Sequence, residues 1–215
     1  MARIVFDLDG TLIDSAPDIR AAANAALDGT GAEPLSLAET VSFIGHGAPH
    51  FVERMRSARG IAETDCPDLL GRFQEEYVRA KSLSRLFPDV TEVLDQLADQ
   101  GHALGLCTNK PAAPTGAVLM QFGLTDRFKT VVAGDDLPQR KPDPAPLHAV
   151  LTALGDGPAL YVGDSEVDAE TADRAGVPFL LFTKGYRHVA VDQMPHLAAF
   201  SDWSDMPGLV AQVLA

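Results

Sequence analysis

The sequence is poor in cysteine, poor in positive charge and without a long apolar run, and each shortage removes a class of function. The two cysteines, Cys66 and Cys107, lie far apart in segments of different character. They form neither a disulfide framework nor a zinc site, and this favours a reducing compartment. The 17 basic side chains are outnumbered by 30 acidic ones, leaving a net charge of -13. Such a surface repels phosphate backbones, so nucleic acid is not expected as a partner and the charge reads as solubility. No apolar run approaches the ~20 residues that cross a bilayer, so no membrane association is expected. The N-terminus also lacks the basic start and apolar stretch of a signal peptide, and the expectation is a cytoplasmic protein. Repeats and low-complexity tracts are absent. What is present is 215 residues, 46% of them apolar, enough for one sizeable domain or a core with a smaller insertion.

Five short apolar stretches read as buried strands: 4–6, 103–107, 130–133, 159–162 and 178–182. Their nearly continuous hydrophobicity suits a parallel sheet covered on both faces. Helical patterns separate them. Val90, Val93, Leu94 and Leu97 recur at helical spacing before Gly101, Val118, Leu119 and Phe122 precede Gly123, and a helix fits 165–175 before Gly176. Strands alternating with helices predict an α/β fold with a doubly wound, Rossmann-like parallel sheet. The stretch between the first two strands differs, with helical periodicity and no convincing strand. Leu69, Leu70, Phe73 and Tyr77 make one apolar face there, while Glu75, Glu76, Arg79 and Lys81 supply polar ones. We therefore expect an inserted α-helical cap domain over 16–84, with 1–15 and 85–215 forming the core.

The polar residues gather just beyond the expected strands. The chain opens ARIVFDLDGTLID, placing Asp7 and Asp9 after the first strand. Thr108, Asn109 and Lys110 follow the second strand, Lys141 lies shortly after the third, and Asp164 and Asp168 follow the fourth. In open α/β sheets that edge is where ligands bind. Each group has an ordinary reading alone: Asp9-Gly10 as a turn, Thr108-Asn109 or Asp164-Ser165 as a helix cap, Asp168 as a first-turn acid, Lys141-Pro142 as an exposed loop. Together they place several carboxylates, a hydroxyl and a lysine in one crevice. Carboxylates so crowded repel unless a cation sits among them or some are protonated. Hard oxygen donors with no Cys or His cluster favour Mg²⁺. A metal, a lysine and a threonine suit a phosphoryl group, which a carboxylate can attack to form an aspartyl-phosphate.

DLDGTLID, CTNK, RKPDP and GDSEVD, in that order, resemble the four motifs of the haloacid dehalogenase-like hydrolase superfamily, which also inserts a helical cap after its first motif. The resemblance implies Asp7 as nucleophile and Asp9 as general acid and base. It implies Thr108 and Lys141 on the phosphate, with Asn109 assisting. It implies Mg²⁺ held by Asp7, Asp9 (through its carbonyl), Asp164 and Asp168, the last as an outer partner of the metal or of Lys141. Asp9 argues against the halide-displacing and phosphonate-cleaving members, which lack it. FDLDGTLIDSAPDI, FIGHGAPHFVERM and YVGDSEVDAETADRAGVP further resemble the phosphoglycolate phosphatase branch. That likeness implies a small phosphorylated metabolite as substrate, with Gly45 and His46 on a cap loop over it and Arg20, His46 and Lys110 as candidates for its carboxylate. A β-phosphoglucomutase-like phosphotransferase and a receiver-like phospho-accepting module are the alternatives. Relatives commonly carry Pro-Gly-Val where the cap rejoins the core; here it is Pro88-Asp89-Val90, and Asp89 reads as a helix N-cap.

Overall fold

The computed structural model describes residues 1–80 and 83–214, so Lys81, counted above on a polar helix face, lies outside them. A six-stranded parallel sheet is built from β1 (Arg3–Phe6), β4 (Ala103–Cys107), β5 (Thr130–Val132), β6 (Ala159–Gly163), β7 (Phe179–Phe182) and β8 (Ala198–Phe200), in the order β5-β4-β1-β6-β7-β8. Alternate residues of each strand point to opposite faces. Ile4 and Phe6 join the apolar cluster that includes Val90 to Leu97 and Trp203. Val5, between them, joins Leu147, Val150, Tyr161 and Ala169 on the other side. Helices cover both faces: α5 (Val90–Asp99) and α9 (Met206–Leu214) on the first, α7 (Ala145–Leu154) and α8 (Glu166–Ala175) on the second. This double covering is why the strands read as unbroken apolar runs.

The doubly wound sheet stands as the sequence predicts, with strand ends moved by a residue. The third strand stops at Val132 rather than Ala133, and the fifth begins at Phe179 rather than Pro178. Three strands were not legible. β8 is a three-residue edge strand whose Ala-Ala start lacks the β-branched signal. β2 (Ile13–Asp14) and β3 (Arg85–Leu86) form a two-residue antiparallel ribbon, too short for any periodicity.

Between the strands of that ribbon lie the helices α1 (Ala16–Leu27), α2 (Leu37–Phe43), α3 (Ala48–Ala58) and α4 (Cys66–Arg79), which enclose their own apolar cluster around Val52, Met55 and Phe73. The ribbon is fastened by Asp18, whose buried carboxylate accepts hydrogen bonds from the Leu83 and Ser84 amides at 3.0 and 2.8 Å. Among the described residues, no helix is long and apolar enough to cross a membrane.

Candidate active site

The register of the sheet sets the site. β1 lies between β4 and β6, Phe6 aligned with Leu106 on one side and Val162 on the other. The residues that follow these three strands therefore emerge side by side. After β1 the chain turns at once: the Leu12 and Ile13 amides donate back to Leu8 O at 3.0 and 3.1 Å, and Gly10 N donates to Ile13 O at 2.8 Å. Gly10 has φ +85, and a Cβ there would stand 2.4 Å from Asp164 Oδ2. No other residue type satisfies both the left-handed backbone and this close approach.

Lys141 is the centre of charge. Its Nζ lies 2.8 Å from Asp7 Oδ1, 2.7 Å from Asp168 Oδ1 and 2.9 Å from the Tyr161 hydroxyl, all buried. Asp168 uses both oxygens fully. Oδ1 also accepts from Tyr161 at 2.7 Å, and Oδ2 accepts from the Asp164 and Ser165 amides and from Ser165 Oγ at 3.2, 3.1 and 2.6 Å. Ser165 and Asp168 form a reciprocal capping box at the start of α8, so the helix-cap reading and the site reading of Asp168 hold together. Asp164 accepts one bond on each oxygen, from Thr11 Oγ1 and from Tyr186 N, both at 2.6 Å. Asp9 accepts from Ser15 Oγ at 2.6 Å and from Lys110 Nζ at 2.9 Å. Asn109 is spent on scaffolding: its amide nitrogen donates to Gly45 O and Lys141 O, each at 2.9 Å, and its oxygen accepts from Lys141 N at 3.0 Å. It thus ties the Lys141 loop to the cap.

Burial pushes Asp7 up to about 7, with Lys141 pulling the other way. Burial and the neighbouring Asp168 push Asp164 well above the usual carboxylate range. Burial is the largest influence on Asp168 too, but the charge of Lys141 and the hydrogen bonds from Lys141, Ser165 and Tyr161 together outweigh it and hold that carboxyl low. Carboxylate oxygens of Asp7, Asp164 and Asp168 lie within 4.8 Å of one another. Three clustered buried acids, with one ammonium shared by two of them, leave excess negative charge, and all the donors are oxygens. That set fits a hard divalent cation.

These groups form the polar end of a cavity of about 60 Å³ whose remaining wall includes Ile19, Ile44, Phe51 and Phe73 from the cap. Asp7, Asp9, Thr108, Asn109, Lys110, Lys141, Asp164 and Gly45 all line it. Three of the expected residues do not: Asp168, whose oxygens are engaged by Lys141, Tyr161 and the start of α8, and the two cap residues His46 and Arg20. His46 is exposed, its ring 4.8 Å from that of His50, while its neighbours Gly45 and Gly47 face the cavity. Arg20 is half-buried and is not among the lining residues. Loop spacing alone could not tell which side chain of Gly45-His46-Gly47 turns inward. Sequence reading also missed Tyr161, Tyr186 and the hydroxyl of Tyr77. The signal for Tyr161 was available, since a tyrosine inside a buried strand needs a hydrogen-bond partner nearby.

Comparison with known proteins agrees with this geometry. Residues 4–182 match the family model of the haloacid dehalogenase-like hydrolases. A phosphoglycolate phosphatase of Cereibacter sphaeroides is 46% identical over the full length of both chains. One of Rhodobacter capsulatus is 41% identical, over 96% of this chain and 95% of its own. A crystal structure of a predicted phosphoglycolate phosphatase from Haemophilus somnus 129PT superimposes with a TM-score of 0.92 at 31% identity, covering 97% of each chain. The chain belongs to the haloacid dehalogenase-like hydrolase family, as a phosphatase related to the phosphoglycolate phosphatases.

Proposed function

We propose that the enzyme hydrolyses 2-phosphoglycolate, or a similarly small phosphorylated acid, through an aspartyl-phosphate on Asp7. The observation that carries this reading is the Asp7–Lys141 pair, 2.8 Å apart, at the polar end of a small and otherwise largely apolar cavity. Lys141 holds Asp7 in place and draws its carboxyl toward the ionised form against burial, and with Thr108 it receives the phosphoryl oxygens. An Asp7 carboxylate oxygen attacks phosphorus as the ester P–O bond breaks, and Asp9 gives its proton to the leaving alkoxide. Asp9, now a base, takes a proton from the water that attacks the phosphoryl group, which releases phosphate and restores Asp7. Asp7 and Asp164, with lone pairs to spare, are the side chains proposed to hold Mg²⁺, and the Asp9 carbonyl is proposed to join them. Asp168, its oxygens already engaged, is assigned to Lys141 and the α8 cap instead. When bound, the metal neutralises charge developing on the phosphoryl oxygens.

The cavity size supports the small substrate. At about 10–15 Å³ per water, it holds a handful of waters, which suits a two-carbon ester better than the hexose phosphates of a mutase. The two free thiols are in keeping with a reducing, cytoplasmic setting. Phosphate release should be measured from 2-phosphoglycolate, ethyl phosphate and β-glucose 1-phosphate, with Mg²⁺ and with chelator. Preference for 2-phosphoglycolate, lost in chelator, is expected. Preference for the hexose phosphate, or activity that survives chelation, would overturn this reading.

A further inference from the structure

Lys110 has chemistry that the proposed reaction leaves unused. Its side chain is 1% exposed and lines the cavity. Nζ donates to Asp9 Oδ1 at 2.9 Å and to the Tyr77 hydroxyl, and it sits 4.2 Å from the centre of the Tyr77 ring. An ammonium has three N–H donors. Two are taken, and none of the described residues accepts the third. Lys141, the other cation among the lining residues, is different: it donates to Asp168 and Tyr161 and lies 2.8 Å from Asp7, so its charge is already shared between two carboxylates. Arg20 and His46 are both outside the cavity wall. One buried cation with a donor to spare therefore faces the same small space as the nucleophile.

We propose that Lys110 selects substrates that carry a carboxylate beside the phosphate ester, by donating its free N–H to that carboxylate. The inference rests on the acid-phosphate reading above and names the residue that enforces it. The apolar wall of Ile19, Ile44, Phe51 and Phe73 strengthens this contact, because little water screens a charge pair there. It also sharpens discrimination. An ester without the carboxylate leaves a desolvated N–H unpaired, and sites built to bond a substrate group reject analogues lacking it. The same ammonium spans the molecule, since Asp9 follows β1 in the core and Tyr77 lies on α4 of the cap. The carboxylate site is thus complete only when α4 is packed against the core.

The test compares kcat/KM for 2-phosphoglycolate and ethyl phosphate, the same ester with a methyl group replacing the carboxylate, in the wild type and in Lys110→Met. Both substrates should lose rate, because Asp9 loses a partner. The preference for 2-phosphoglycolate over ethyl phosphate should fall by at least about 30-fold, the lower range for truncating one side of a buried charge pair, and Lys110→Arg should recover part of it. Equal losses on the two esters would overturn the proposal and make Lys110 a positioning residue for Asp9. If Lys110→Met fails to fold, Lys110→Gln, which keeps a donor but no charge, gives the same ratio. Wild-type preference for another carboxylate ester, abolished by the Lys110 variants, would overturn 2-phosphoglycolate as substrate and support Lys110. No wild-type preference for any carboxylate ester over its uncharged analogue would overturn Lys110.

Discussion

Asp7 and Asp168 share the Lys141 ammonium while Asp164, close to both, pairs with no cation among the described residues, and that division decides what each can do. Asp168 holds Lys141 most completely and stays ionised, whereas burial favours the protonated form of Asp7 and Asp164. A carboxyl whose pKa is higher in the folded state binds more protons there than in the unfolded chain. Its contribution to stability is therefore complete below its unfolded value near 4 and is lost as pH rises through its folded value, about 7 for Asp7. The metal-free protein should lose thermal stability across that window. Mg²⁺, which favours the ionised acids, should restore it. Melting temperatures with Mg²⁺ and with chelator should accordingly diverge as pH rises from about 5 to about 7.5. A gap that is constant or narrows over that range would contradict the charge assignment. Most of these residues were legible because carboxylates crowded after apolar strands have few structural uses. His46 was misplaced and Lys110 undervalued because loop direction and the reach of a long side chain depend on packing against the cap.

At the scale of elements, each reactive group is held by the structure that ends just before it or starts just after it. Asp7 follows β1, Thr108 follows β4, and Asp164 lies between β6 and the capping box of α8. Unbroken apolar strands and glycine-ended helices carry strong local signals, so they could be read from the chain. The β2–β3 ribbon carries none: two residues per strand make no pattern, and their pairing depends on the cap between them. The return from cap to core shows a local conflict. Asp89 stands at the N-cap position of α5, as expected, but with φ +64 and with no hydrogen bond from its side chain to the helix. The left-handed backbone costs a non-glycine residue ~1–2 kcal/mol, of which glycine's greater chain entropy takes back part. Asp89→Gly should stabilise by about 0.5–1 kcal/mol, raising the melting temperature by roughly 2 °C in a chain of this length. An unchanged or lower melting temperature would mean that the Asp89 side chain contributes a contact that offsets the strain.

For the whole molecule, core and cap each bring something the other lacks. The core supplies the acids, Thr108, Lys110 and Lys141, and the cap supplies most of the apolar wall and Tyr77. Hydrogen bonds from Asn109 to Gly45, from Lys110 to Tyr77 and from the Ala16 amide to Tyr186 are among those that join them over the cavity. An inserted helical domain was legible from the missing strand between the first two motifs, whereas its contacts with the core were not, because they pair residues distant in sequence. The central claim is that the phosphoryl group passes to Asp7. It is tested most directly in Asp9→Asn mixed with an aryl phosphate, whose leaving group departs without protonation. Removing the base that activates water should then let the intermediate accumulate. After rapid acid quench, mass spectrometry should find one phosphoryl group on the peptide containing Asp7, absent in Asp7→Asn/Asp9→Asn. Release of the aryl alcohol with no phosphoprotein, or a phosphoryl group on another residue, would contradict the account.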